Sequence, residues 1–366
     1  MSNSSLESSV QTDTSSLGER LIFQTSKHTF IWVSLLLLIV KVGINPLPAF
    51  YKIAIVANDP FQNNLNATDF YLMWNWLVPY LAWLLHLTNY QVLLILHLLL
   101  SVAFIVLVMY GLFTKLSDNQ ARISVIIFLM LPVSGSTLHW ISYDGPSLLL
   151  IAIALLFVKN KFGLFTIGLA LGLQDFEPAL LGFGALALAS LISNKAKSLR
   201  ADQFQHSMFV IAGLIVGRTI LTFLFNHWNI RGNSGRLSWI LENSSALINQ
   251  FIKAPYLFLW SVLGLAWIVI AMYRYTHVRL SPDLVIPLVL LATLSLITVD
   301  KTRVMGFATF PLLCTYWLLN PAFLERISRK TTEALALIWL VVPWIWVIEG
   351  GSYGFSFNIV RAFLGN

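Results

Sequence analysis

The sequence predicts an all-α polytopic membrane protein with about eleven transmembrane helices, and three observations carry that reading. Hydrophobic side chains make up 57% of the 366 residues and charged ones only 11%, against roughly 25% charged in soluble domains. Mean hydropathy is +0.77. Apolar runs recur from the thirties to the three-forties, many approaching the ~20 residues with which a helix crosses a ~30 Å hydrocarbon layer. Only helices and closed barrels satisfy every backbone N–H and C=O in that layer, and runs of this length favour helices. No stretch is left for a large soluble domain.

Taken in order, the opening MSNSSLESSVQTDTSSLGER is polar and lacks the basic-then-apolar order of a cleaved leader. Residues 1–27 are expected to form a disordered cytoplasmic tail, and 28–366 a single transmembrane domain with an outward-facing cavity. The expected spans are 29–48, 91–113, 123–137, 146–158, 162–173, 178–192, 208–225, 256–273, 284–299, 304–319 and 334–348. Several are short, so the pairs around Asp144 and Asp175 are expected to be broken or tilted helices whose charged ends lie in a cavity. In the first outer loop, FYLMWNWLVPYLAWLLHL carries Trp and Tyr at interface density. It is expected to lie along the outer surface as an amphipathic juxtamembrane helix kinked at Pro79, with a short twelfth crossing as the alternative. The one cysteine, Cys314, sits inside an apolar run, so no intrachain disulfide is expected.

Cytoplasmic loops carry the excess of lysine and arginine, and this bias orients a membrane chain. With the N-terminus inside, Arg20, Lys27, Lys115, Arg122, Lys159, Lys161, Lys195, Lys197, Arg200, Arg274, Arg279, Arg326, Arg329 and Lys330 fall on the cytoplasmic side. These residues account for most of the +7 formal charge, so no nucleic-acid partner is expected. The outer loops keep chiefly Lys52, Arg231, Arg236, Lys253, Lys301, Arg303 and Arg361, set among acids. Topology does not explain that second group.

An ionisable side chain at the bilayer centre costs roughly 2.5 kcal/mol or more, so such groups face water or a partner. The outer loops offer Asp59 and Asp69 in the first loop, His139 and Asp144 in HWISYDGPS, Asp175 and Glu177 in GLQDFEPAL, and Asp300, Lys301 and Arg303 in TVDKTRVM. Arg231, Arg236, Lys301 and Arg303 supply the outward positive charge that a phosphate or pyrophosphate needs, arginine as a bidentate fork. Each has a plainer reading. Asp69, Asp144 and Asp175 suit helix starts, Asp300 suits an internal ion pair with Arg303 or Lys301, and the histidines lack ligand spacing and suit packing. No Walker loop, HExxH or CxxC occurs.

In this order the features resemble the GT-C superfamily of polytopic glycosyltransferases. There a first outer loop carries a catalytic Asp before or on a juxtamembrane helix, followed by a proline-containing leucine stretch, to which TDFYLMWNWLVPYLAWLL is similar. Asp144 in SYDGPSLLLIAIALL looks like the family's acid opening a span. FGLFTIGLALGLQDFEPALLGFGALALAS matches the layout of a Gly-rich span ending in a polar step, and VDKTRVMGFATFPLL a late outer loop with a base near the lipid phosphate.

The resemblance implies inverting transfer from a polyprenyl-phosphate-linked sugar to a glycan, lipid or protein acceptor on the extracytoplasmic face, in the inner membrane of a bacterium. Asp69, or else Asp59, would be the general base. Arg303 and Lys301, with Arg231 or Arg236, would hold the donor phosphate, and Asp144, His139, Asp175, Glu177 and Asp300 would bind sugar or acceptor. Many relatives have Lys or Arg where this chain has Asp175 and Glu177, which points away from a phosphate contact there and toward a divalent metal or acceptor recognition. No other cofactor is implied, and membrane lipids are the remaining partners. The rival readings are a surface-glycan polymerase or ligase, and a transporter or flippase of lipid-linked or anionic substrates.

Overall fold

The structure, a computed structural model, describes residues 16–193, 197–230, 245–246, 248–272, 281–296, 298, 300–348, 351–356 and 358–359. Among these residues the chain is mostly helical, with two two-stranded sheets. Each of the eleven expected segments contains helix. Two are long and apolar enough to cross a membrane: α5 (Tyr90–Lys115) and residues 201–227 of α11 (Lys197–His227). The number is four if two bent pairs each count as one span. The first pair is α1 (Leu17–Phe23) with α2 (Lys27–Val42), bent by 112°, and the second α6 (Asp118–Met130) with α7 (Pro132–His139), bent by 58°. The remaining apolar helices are shorter. They include α8 (Asp144–Leu156), α9 (Lys161–Gln174), α10 (Phe176–Ile192), α12 (Pro255–Leu263) continued after a break by α13 (Trp267–Ala271), and α14 (Pro282–Ser295). Helix length therefore marks two to four crossings, fewer than the eleven expected.

The breaks have local causes. Leu131 precedes Pro132 and takes the extended conformation that a following proline imposes. Gly264 ends α12 with φ +57, a left-handed conformation that glycine adopts without strain. Pro311, inside α15 (Lys301–Leu313), lacks the donor that would continue the ladder, and a π turn follows at Cys314–Leu318.

Three expectations are corrected. The tail assigned as disordered to residue 27 contains α1, because Ile22 and Phe23 find a buried seat and Ser16 caps the helix by accepting from Glu19 N at 3.0 Å. The last expected span, 334–348, stops as helix at Val341 in α17 (Arg329–Val341). Pro343 cannot continue that helix, and Trp346–Ile348 instead forms β3, antiparallel to β4 (Gly351–Tyr353).

The single juxtamembrane helix expected over FYLMWNWLVPYLAWLLHL is two short pieces, a 3₁₀-helix (Ala67–Trp74) and α4 (Leu77–Leu84), preceded in the same loop by α3 (Phe50–Asn58). These are clamped to protein. Trp76 N donates to Leu173 O at 3.2 Å and Val78 N to Gln174 Oε1 at 2.9 Å, while Phe70, Met73 and Trp76 bury against Leu221 and Phe225. An aromatic-rich strip of this kind reads the same whether it packs on lipid or on helices.

What supports that clamp is a tight crossing of α9 and α11. Gly168 and Gly172 face Gly213 and Gly217, four residues apart on each helix and hence on one face. A Cβ at Gly168 would collide with the Val210 carbonyl, and one at Gly213 with that of Phe165.

Polar contacts gather at the two ends of the bundle. At one end Arg122 pairs with Asp118 at 2.7 Å and donates to the carbonyls of Ile22 and Thr25. Gln120 donates to Glu325 at 3.0 Å and Arg329 to Asn119 at 3.2 Å. At the other end β1 (Asn45–Pro46) pairs in parallel with β2 (Trp140–Ile141), Asn45 Nδ2 donates to the carbonyls of His139 and Ser356, and Asp300 bridges Ile348.

Candidate functional site

The densest charge group is built on the first turn of α15. Asp300 is its N-cap, accepting from Arg303 N at 3.4 Å, and Arg303, one turn further on, returns its Nε to Asp300 Oδ2 at 3.0 Å. A second carboxylate, Asp144 at the head of α8, stands 3.6 Å from the same Nε. Arg303 Nη1 donates to the Tyr143 hydroxyl at 2.5 Å, with the guanidinium 4.9 Å from that ring's centre. The head of α8 can press against α5 here because Gly145 lacks the Cβ that would strike Ser101 Oγ.

The group is nearly closed to solvent, with Asp144 and Asp300 only 7% and 8% exposed. Buried charges persist when they are paired, and one guanidinium stands between the two acids. Burial pushes the Asp300 carboxyl up to about 7, outweighing the downward pull of Arg303. Lys301, expected to face a donor phosphate, is buried and donates to the Thr298 carbonyl at 2.9 Å.

The internal Asp300–Arg303 pair weighed from the sequence is thus present. Asp144 joins it from 156 residues away in the chain only because α8 and α15 meet at this end.

A second group lies in the first outer loop. Lys52 of α3 pairs with Asp69 at 2.6 Å, and that hydrogen bond holds the lysine above its ordinary range. Asp69 does not cap its helix, since Asn66 occupies that position. Asp59 accepts from Phe61 N at 3.1 Å, an Asx turn that closes α3.

The polar step between α9 and α10 holds a third. Asp175, 6% exposed, separates the two helices. Glu177 pairs with Arg218 of α11 at 3.2 Å, and that guanidinium lies 3.5 Å over the Trp74 ring. Sequence reasoning passed over Arg218, although a lone arginine inside the run MFVIAGLIVGRTILTFLF is the kind of intramembrane charge that marks a site. The basic residue that the polar step lacks in sequence therefore arrives from another helix. Glu177 is turned to Arg218, and among the described residues no three His, Cys, Asp or Glu side chains gather as a ligand set.

The expectation at His139 is corrected. Its Nδ1 donates to the Val42 carbonyl at 2.8 Å, and its ring packs among Trp140, Trp344 and Trp346 rather than facing the charges. Arg231 and Arg236 lie outside the described residues. Comparison with known proteins finds no matching family model, no matching curated protein and no matching solved structure.

Proposed function

We propose that the chain is a membrane glycosyltransferase of the GT-C kind, moving a sugar from a polyprenyl-phosphate-linked donor to an acceptor on the extracytoplasmic face with inversion. In this reading it crosses the plasma membrane of a bacterium about eleven times with its N-terminus in the cytoplasm. One observation carries the proposal. Charges of the expected outer loops find one another: Lys52 pairs with Asp69, and Arg303 gathers Asp300 and, from the head of α8, Asp144. Groups so placed suit a donor whose sugar is polar and whose tail is buried. A transporter would instead want its charges near mid-depth, between repeats.

Chemically, Asp69 accepts the acceptor hydroxyl's proton while that oxygen bonds to the anomeric carbon. The bond from that carbon to the phosphate oxygen breaks, and the lipid phosphate leaves with the electron pair. Lys52 holds one carboxylate oxygen of Asp69, leaving the other for the proton. Arg303 stabilises charge gathering on the leaving phosphate in a site shielded from water, where such a contact is worth more than in bulk. Its two carboxylates and Tyr143 hold the guanidinium in place beforehand.

The test is transfer by purified protein from a lipid-linked donor. Asp69→Asn is expected to abolish transfer with folding intact, and full activity in both Asp69→Asn and Asp59→Asn would remove the proposed base.

A further inference from the structure

Away from the charged groups, two apolar hollows lie side by side between α2 and α17. One, about 370 Å³, begins at Gly18 of α1 and is walled by Val33, Ser34 and Ala336. The other, about 310 Å³, is walled by Val40, Lys41, Pro343 and Phe355. Leu37 and Leu340 line both, so they form one continuous groove. From Thr29 to Lys41 along α2 the rise is about 18 Å, more than half of a ~30 Å hydrocarbon layer. At one end α1 turns across the groove at 112° to α2 and floors it.

The groove's charged lining residues stand at its ends, and the two ends differ in sign. Glu333 lines the floor, where it accepts from Ser16 Oγ at 2.5 Å. Lys41 lines the far mouth, its ammonium donating to the carbonyls of Leu340 and Val342 at the end of α17. An ammonium has three donors, so one remains for an anion arriving at the mouth. The acid at the floor disfavours an anion there. A linear apolar chain with an anionic head therefore fits in one direction only.

The mouth also borders the charged end of the bundle. Phe355 precedes Ser356, whose carbonyl accepts from Asn45, and the chain that leaves Pro343 reaches Thr302 through Val347 N at 2.9 Å and Asp300 through Ile348.

We propose that this groove holds the isoprenoid tail of the lipid-linked donor, its phosphate toward Lys41 and its tail descending to the α1 floor. The assignment rests on the glycosyltransferase reading above and adds to it the place of the tail.

The experiment measures binding of polyprenyl phosphate to the full chain in phosphatidylcholine nanodiscs. Leu37→Trp fills the groove at one of the two residues common to both hollows, which is 36% exposed and so accepts a larger side chain. Leu36→Trp, 60% exposed and outside the groove, is the control for folding and for tryptophan itself. Leu37→Trp is expected to bind about tenfold more weakly than the wild type and Lys41→Gln several-fold more weakly, with Leu36→Trp within about twofold. A photoreactive polyprenyl phosphate is expected to label α2 or α17, and excess polyprenyl phosphate, not excess phosphatidylglycerol, to suppress the labelling. Equal binding by Leu37→Trp and Leu36→Trp would overturn the groove and leave the glycosyltransferase reading standing. Equal suppression by both lipids would mean bulk lipid only and would also overturn it. A wild-type chain that binds no polyprenyl phosphate would remove both proposals together.

Discussion

Replacing Asp300 by Asn takes one of the two carboxylates away from Arg303 while keeping the α15 cap, because an amide oxygen caps a helix about as well as a carboxylate. Burial holds the Asp300 carboxyl up to about 7, so it is protonated below that pH and ionised above it. Protonating Asp300 therefore makes the group around Arg303 one unit more positive on the acid side than on the alkaline side. A donor phosphodiester keeps a single negative charge throughout, so it favours the protonated form, and binding takes up a proton. If only that form binds, the competent fraction falls from about 0.9 at pH 6 to about 0.1 at pH 8. Affinity falls with it about tenfold, or about 1.4 kcal/mol. Donor binding by the purified chain, measured calorimetrically at pH 6, 7 and 8, is expected to show that slope in the wild type and none in Asp300→Asn. A wild-type affinity independent of pH, or an Asn variant that keeps the slope, would refute the reasoning.

Three further outcomes are expected. Arg303→Ala leaves Asp144 and Asp300 buried without their cation and should destabilise the fold by about 3–5 kcal/mol; in a denaturant titration a loss below about 1 kcal/mol would mean that the two acids find other partners. Lys52→Gln frees Asp69 without exposing a core, so the melting temperature should hold while the transfer rate from the lipid-linked donor drops; unchanged transfer would take Lys52 out of the mechanism. Gly213→Leu drives a side chain into the Phe165 carbonyl and should lower the melting temperature by several degrees, whereas Gly184→Ala, with nothing within 4 Å of the added carbon, should not; equal effects would deny the close α9–α11 crossing.

By itself the sequence determined what depends on neighbours along the chain. Apolar length placed helix within all eleven segments, because a helix closes its own hydrogen bonds. The spacing of Asp300 and Arg303 put cap and cation one turn apart, so their pairing was legible before any fold. Lysine and arginine counts separated the loops into two expected sets. Tertiary structure alone decided which distant charges meet. Asp144 reaches Arg303, Glu177 reaches Arg218 and Lys52 reaches Asp69 because of how helices and loops pack, and a buried charge takes whichever partner packing brings within reach. It likewise decided that the aromatic strip of the first loop docks on α9 and α11 and that the chain past Pro343 is a strand. The physical reason is range: hydrophobic runs and helix caps act over one or two turns, whereas a desolvated ion pair is fixed only when separate helices close around it.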